Sequence, residues 1–175
     1  MLAYNRAKEN KGTERKEKVM KQKKIAGWLK GITIMLGIMG ILFFGGFTWM
    51  AFELKGIDEG NPLWMWIFFS WYIAVLCYVI LFEFWNICTQ IGKNNSFSKE
   101  NVVYFHRMGL CGIGGAIGFT ARLLWLVVLQ RAEILNVGFS IAEILLALVF
   151  IVLCEALSGL VQYAYDMKQE NDLTI

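Results

Sequence analysis

The sequence predicts an all-α membrane protein, with four transmembrane helices in an antiparallel bundle and both termini in the cytoplasm. Three observations support this fold class: an apolar composition, four long apolar segments and an uneven distribution of basic residues. Of 175 residues, 57% are hydrophobic and 18% are charged, and the mean hydropathy is +0.51. Soluble domains carry about 25% charged residues. A single soluble core would leave much of this apolar surface in water, so a lipid environment is favoured.

The first apolar segment is assigned to residues 25–52. From Gly31 to Phe52 it reads GITIMLGIMGILFFGGFTWMAF, without a charged residue. As a helix rising 1.5 Å per residue, this stretch is about 33 Å long, which crosses a hydrocarbon core of about 30 Å. A helix is expected because it satisfies its backbone hydrogen bonds internally, as lipid requires.

Three further apolar segments are assigned to residues 63–91, 108–129 and 141–163, which completes a transmembrane domain over residues 25–165. Aromatic residues flank the first loop, and amphipathic rings favour the headgroup level of a bilayer. We therefore interpret them as interfacial anchors rather than as a cofactor site: Trp49, Phe52, Trp64 and Trp66.

The basic residues predict the orientation, because Lys and Arg accumulate in cytoplasmic segments. The first 30 residues hold ten of the 17 Lys and Arg: Arg6, Lys8, Lys11, Arg15, Lys16, Lys18, Lys21, Lys23, Lys24 and Lys30. Residues 1–24 are therefore predicted to be a basic cytoplasmic tail beside anionic inner-leaflet lipid, rather than a segment that binds nucleic acid. This tail is expected either to extend the first helix or to be disordered. With four spans, residues 166–175 form a second cytoplasmic tail.

The polar loop GKNNSFSKEN lies between the second and third spans, on the predicted cytoplasmic side. Ser98 is placed to cap the helix that follows, and Glu100 in its first turn suits the helix dipole. Capping does not explain Phe97, which either dips into the membrane interface or has a further role.

Apart from Lys30 near the start of the first span, four charged residues fall within the predicted spans, where charges are costly and usually have a reason. Glu83 and Glu155 are predicted at similar depth, and if they face each other one should be protonated. Arg122 and Glu143 lie on helices joined by a short loop, which makes an ion pair plausible. The four groups either form an ion path or ligand pocket, or hold the bundle together by pairing.

The third span begins with GLCGIGGAIGFTA, in which Gly114 and Gly118 form a GxxxG pattern. Cys111 with Gly115 repeats the same small-residue spacing. Small residues let helices approach closely, so this face is expected to pack either within the bundle or in a dimer.

No catalytic pattern is found, so we expect no enzyme, no cofactor and no metal site. His106 is the only histidine and is interpreted as an interface residue. The cysteines lie in apolar segments without a CxxC pair, which favours buried free thiols.

Two segments resemble a known family. The loop GKNNSFSKENVVYFHRMG is similar to the pattern G-x-P-F-S-x-E-N…R-x-G of the DUF2975 family of four-helix bacterial membrane proteins, and the ending DLTI is similar to the family's C-terminus. Ser96 stands where the family usually has Pro. The matched residues are Gly92, Phe97, Ser98, Glu100, Asn101, Arg107, Gly109, Asn171, Asp172, Leu173, Thr174 and Ile175.

The resemblance implies a partner, since family members are often encoded beside a small helix-turn-helix transcription regulator. We therefore expect a membrane regulator that binds such a protein through Phe97, Ser98, Glu100 and Asn101 and through residues 171–175, with the tail adding as a strand or filling an apolar groove. Two alternatives remain open. One is a solute or ion transporter or lipophilic-ligand sensor that uses the intramembrane charges, and the other is an accessory subunit packed through the third-helix glycines.

Overall fold

The computed structural model describes residues 2–53, 63–129 and 134–173, and it is all-α over these ranges. Each of the four helices is long and apolar enough to cross a membrane, so the predicted all-α fold with four membrane-length helices is confirmed. The cytoplasmic placement of both termini stays a prediction. The helices are α1 (Leu2–Glu53), α2 (Leu63–Gly92), α3 (Lys99–Val128) and α4 (Ile134–Leu173).

The helices extend beyond the apolar segments at both ends of the chain. α1 begins at Leu2, so the basic N-terminal region continues the first span as a helix rather than as disordered chain. Glu17 and Lys21 support it with an i,i+4 ion pair of 2.8 Å. α4 likewise continues to Leu173, so most of the predicted C-terminal tail is a helical extension of the last span.

Each helix packs mainly on its neighbours in the chain: α1 on α2, α2 on α3 and α3 on α4. α1 approaches α2 closely through glycine. The Tyr78 hydroxyl donates to the carbonyl oxygen of Gly37 at 2.7 Å, and it lies 3.0 Å from where a Cβ on Gly40 would be. At the end of α2, Gly92 packs against the Ala26 methyl group.

The glycines of α3 pack within the bundle, on two faces. Tyr72 of α2 donates to the carbonyl oxygen of Gly114 at 2.9 Å, and a Cβ on Gly118 would lie 2.7 Å from its ring. A Cβ on Gly112 would lie 2.8 Å from Ile151 of α4. Of the two alternatives predicted for the small-residue face, packing within the bundle is therefore the one seen at Gly114 and Gly118, which contact α2 of the same chain.

The other predicted small residues, Cys111 and Gly115, contribute less to packing between helices. Gly115 is buried, but a Cβ there would meet only Phe119 of its own helix, at 3.9 Å. Cys111 is half-buried. All four cysteines are free as predicted; Cys88 and Cys154 are buried, whereas Cys77 is exposed.

The interior is small and the apolar surface is large. A core cluster of Ile87, Met108 and Cys154 joins α2, α3 and α4. Most large apolar side chains point outward instead, on every helix. In lipid this exposure carries no hydrophobic penalty, so close packing and polar contacts must hold the helices together.

We predict that Gly118→Ala lowers the free energy of unfolding by about 1–3 kcal/mol, because the added methyl group overlaps the Tyr72 ring. Gly159→Ala on α4 is the matched control, since nothing lies within 4 Å of a Cβ there. Alanine favours a helix over glycine, so the control should be neutral or slightly stabilising. Unfolding in mixed micelles measures both. Equal stability of the two variants would contradict the packing described.

Candidate functional site

The loop between α2 and α3 is held by its own side chains. Ser98 has extended backbone angles (φ −128°, ψ 153°), and its side chain accepts a hydrogen bond from the backbone N–H of Asn101. The Asn101 amide donates back to the carbonyl oxygen of Ser96 at 2.8 Å. Asn94 adopts a left-handed conformation with φ 60°, which suits asparagine in a turn. The predicted cap at Ser98 is confirmed.

The predicted partner-binding residues of this loop separate into two groups. Ser98 and Asn101 are only 2% and 1% exposed, so their side chains fix the loop rather than face a partner. Phe97 is 54% exposed and Glu100 is also exposed. The loop therefore presents one aromatic and one acidic side chain on a fixed backbone.

The predicted C-terminal binding residues belong largely to α4. Asn171 is exposed on the helix, and Asp172 and Leu173 complete it. The segment is helical as far as Leu173, so the last turn of α4 would have to unwind before it could add as a strand, and strand addition stays a prediction. Thr174 and Ile175 lie outside the described residues.

These features meet at one end of the bundle, which we call the loop end. Ser158 of α4 donates to the carbonyl oxygen of Val102 at 3.0 Å, so α4 passes the start of α3 there. Ala26 of α1 lies beside Gly92. The helical segment after Ser158 is about 22 Å long and the segment before Ala26 about 36 Å. Both extend from the loop end.

Two adjacent bases of α3 pair with carboxylates on different helices near the loop end. Arg107 Nη1 lies 3.4 Å from Oε1 of the buried Glu83 on α2. His106 Nδ1 lies 2.9 Å from Glu155 Oε1 on α4. The side chains of neighbouring helical residues point about 100° apart, which explains why His106 contacts α4 whereas Arg107 contacts α2. Glu83 and Glu155 therefore each contact a basic side chain of α3. The expectation of a protonated carboxyl applied only if the two faced each other.

The predicted ion pair of Arg122 with Glu143 is present toward the other end of α3. Arg122 Nη2 also donates to the hydroxyl of Ser140 at 3.0 Å. That hydroxyl in turn donates to the carbonyl oxygen of Asn136 at 2.9 Å. The Nε–H of Arg122 is buried and has no acceptor among the residues that the structure describes.

A cavity of about 440 Å³ lies between α2 and α3 beside Arg122. The guanidinium carbon is 5.2 Å from the centre of the Phe69 ring and 5.9 Å from that of Trp66. This volume is in the range of small-molecule sites. The lining residues are Trp66, Phe68, Phe69, Tyr72, Ile117, Gly118, Ala121, Arg122, Trp125 and Leu126.

The cavity is the feature that sequence reasoning missed. Trp66 was assigned to the membrane interface, but it faces Arg122. The available signal was the i,i+3,i+6 spacing of Trp66, Phe69 and Tyr72, which places three aromatic rings on the face of α2 that meets Gly118. No three His, Cys, Asp or Glu side chains within the described ranges are grouped so that they would hold a metal ion.

Four membrane-length helices, with paired charges and outward apolar surfaces, define the class as a multi-pass α-helical membrane protein. Within that class, the chain belongs to the DUF2975 family, described as proteins of unknown function, whose family model matches residues 57–175. The match includes the loop, α2, α3 and α4, whereas α1 precedes it. No curated protein and no solved structure matches the chain.

We predict that Glu83 and Arg107 are energetically coupled. Arg107→Gln should lower the free energy of unfolding by about 1–3 kcal/mol, because it leaves the buried Glu83 carboxylate without its charged partner. In the Glu83→Gln background the same change should cost about 1 kcal/mol less. Unfolding of the two single variants and the double variant measures this coupling.

The exposed pair of Glu17 and Lys21 is the matched control for that cycle. Its coupling should stay below about 0.5 kcal/mol, as for other i,i+4 pairs in water. A coupling between Glu83 and Arg107 no larger than the control would show that their contact does not hold α2 to α3.

Proposed function

We propose that the protein is a non-enzymatic integral membrane regulator that binds and controls a helix-turn-helix transcription regulator at its loop end, which we place in the cytoplasm. The observation that carries this proposal is Phe97. It is an exposed aromatic side chain on a loop whose backbone is fixed by the buried side chains of Ser98 and Asn101.

The fixed loop supports partner binding on energetic grounds. Aromatic side chains are enriched among the residues that contribute most to protein interfaces. A loop that is already ordered loses little conformational freedom when a partner binds. The hydrogen bond from the Asn101 side chain to the carbonyl oxygen of Ser96 also restrains the loop backbone.

The helices that surround Phe97 also support a partner-binding surface at the loop end. The helical extension of α4 leaves the bundle at the loop end, where its exposed side chains are available to a groove on a partner. Helix-in-groove binding suits this segment better than strand addition. The basic residues of α1 extend from the same end and would attract an acidic partner surface. They also favour anionic lipid, which supports a cytoplasmic loop end.

We predict that Phe97→Ala weakens binding of the proposed helix-turn-helix partner by roughly tenfold, as expected for loss of an aromatic anchor. The measurement is a binding titration with the full-length protein in detergent micelles. Phe139→Ala is the matched control, because Phe139 is similarly exposed but lies near the start of α4, away from the loop end. Equal affinity of both variants would show that Phe97 does not contribute to partner binding, which leaves its alternative role at the membrane interface.

We predict that deletion of residues 172–175 abolishes co-purification of the same regulator but leaves membrane insertion intact. The deleted residues lie beyond the last candidate span, which ends at Asn171. Insertion is checked by the yield of folded protein from membranes. Unchanged co-purification would remove the C-terminal segment from the proposed interface.

A further inference from the structure

We propose that the cavity between α2 and α3 binds a flat, neutral lipophile that carries a carbonyl oxygen, with the guanidinium group of Arg122 as the hydrogen-bond donor. This site is separate from the loop end, so the proposal does not depend on the binding of a transcription regulator.

The shape and lining of the cavity select the body of the ligand. Trp66, Phe69 and Tyr72 of α2 line the cavity on one side and Trp125 of α3 on the other. Aromatic faces and edges stack favourably with flat rings. The volume of about 440 Å³ holds a molecule of two or three fused or linked rings.

The unused donors of Arg122 select the polar atom of the ligand. Among the described residues, only Nη2 of the guanidinium has acceptors, on Ser140 and Glu143. Nε is buried with none. A lipid acyl chain in the cavity would leave these donors unmet, and a buried unmet donor is costly. A carbonyl oxygen accepts such a hydrogen bond directly.

The charge of the site favours a neutral ligand over an anion. Glu143 already balances the charge of Arg122, so the pair is neutral as a whole. An anion would be desolvated beside a carboxylate without a free positive charge to compensate it. A neutral acceptor uses the donors of Arg122 without that penalty.

The test compares two probes that differ only in the acceptor: 2-acetylnaphthalene and 2-ethylnaphthalene, in which a methylene group replaces the carbonyl group. Binding to the full-length protein is measured by titration calorimetry in detergent, with the titration of empty micelles subtracted. We expect the ketone to bind about tenfold more tightly, as for a hydrogen bond to a charged donor.

Two variants distinguish the contribution of the cavity's space from that of the Arg122 hydrogen-bond donors. Ala121→Leu fills the cavity and should abolish binding of both probes, whereas Ala142→Leu makes the same change at an exposed site on α4 and should not. Arg122→Lys keeps the charge beside Glu143 but removes the Nε–H and the fork of donors. It should reduce the preference for the ketone to less than threefold.

Three results would overturn the proposal. They are equal binding of the ketone and the hydrocarbon to the parent protein, binding that survives Ala121→Leu, and a preference for the ketone that is unchanged in Arg122→Lys. Should Ala121→Leu fail to fold, the comparison of the two probes in the parent protein and in Arg122→Lys still tests whether Arg122 binds the carbonyl oxygen.

Discussion

A charge within a lipid bilayer must find its counter-charge inside the protein, and α3 is built around that requirement. It carries Arg107 and Arg122, and each contacts a carboxylate of a neighbouring helix, as does the imidazole of His106. The partners are on α2 for Arg107 and on α4 for the other two. Lipid gives no hydrophobic force to bring helices together, so these pairs and the close glycine contacts determine which helices become neighbours.

The same polar contacts join some pairs of helices more firmly than others. α3 and α4 are joined by polar contacts at both ends, through Glu155 near the loop end and Glu143 near the other. Among the described residues, the polar contacts of α1 with α2 are one tyrosine hydrogen bond and the contact of Lys30 with the Trp85 ring at 4.8 Å, beside the close packing at Gly40 and Gly92. α3 and α4 therefore form the stiff part of the bundle. The proposed partner surface uses this part at Phe97 and at the end of α4.

The sequence predicted the parts of this structure that follow from local patterns. Uninterrupted apolar segments specify helices in lipid, and a serine before a polar first turn specifies a cap, so both were found. The pairing of Arg122 with Glu143 followed from a short connection between antiparallel helices.

The remaining pairs depend on helix rotation, which hydropathy does not determine. The sequence indicates only an interface position for His106, and it allows Glu83 and Glu155 to be compared by depth alone. Which side of α3 faces α2 is set by where Tyr72 meets Gly114 and Gly118, a contact between residues far apart in the chain. The cavity beside Trp66 is a product of the same rotation, and no local pattern specifies it.

The position of the charges along the chain also has a consequence for how the protein enters the membrane. Synthesis proceeds from the N-terminus, so α2 is made with Glu83 before its partner Arg107 exists. α3 is the least apolar of the four candidate spans and α4 the most apolar. An arginine that passes from the insertion machinery into lipid without a counter-charge carries a large free-energy cost. We expect α3 to stay at that machinery until Glu143 arrives, so that α3 and α4 enter the bilayer together as a hairpin that is already neutral.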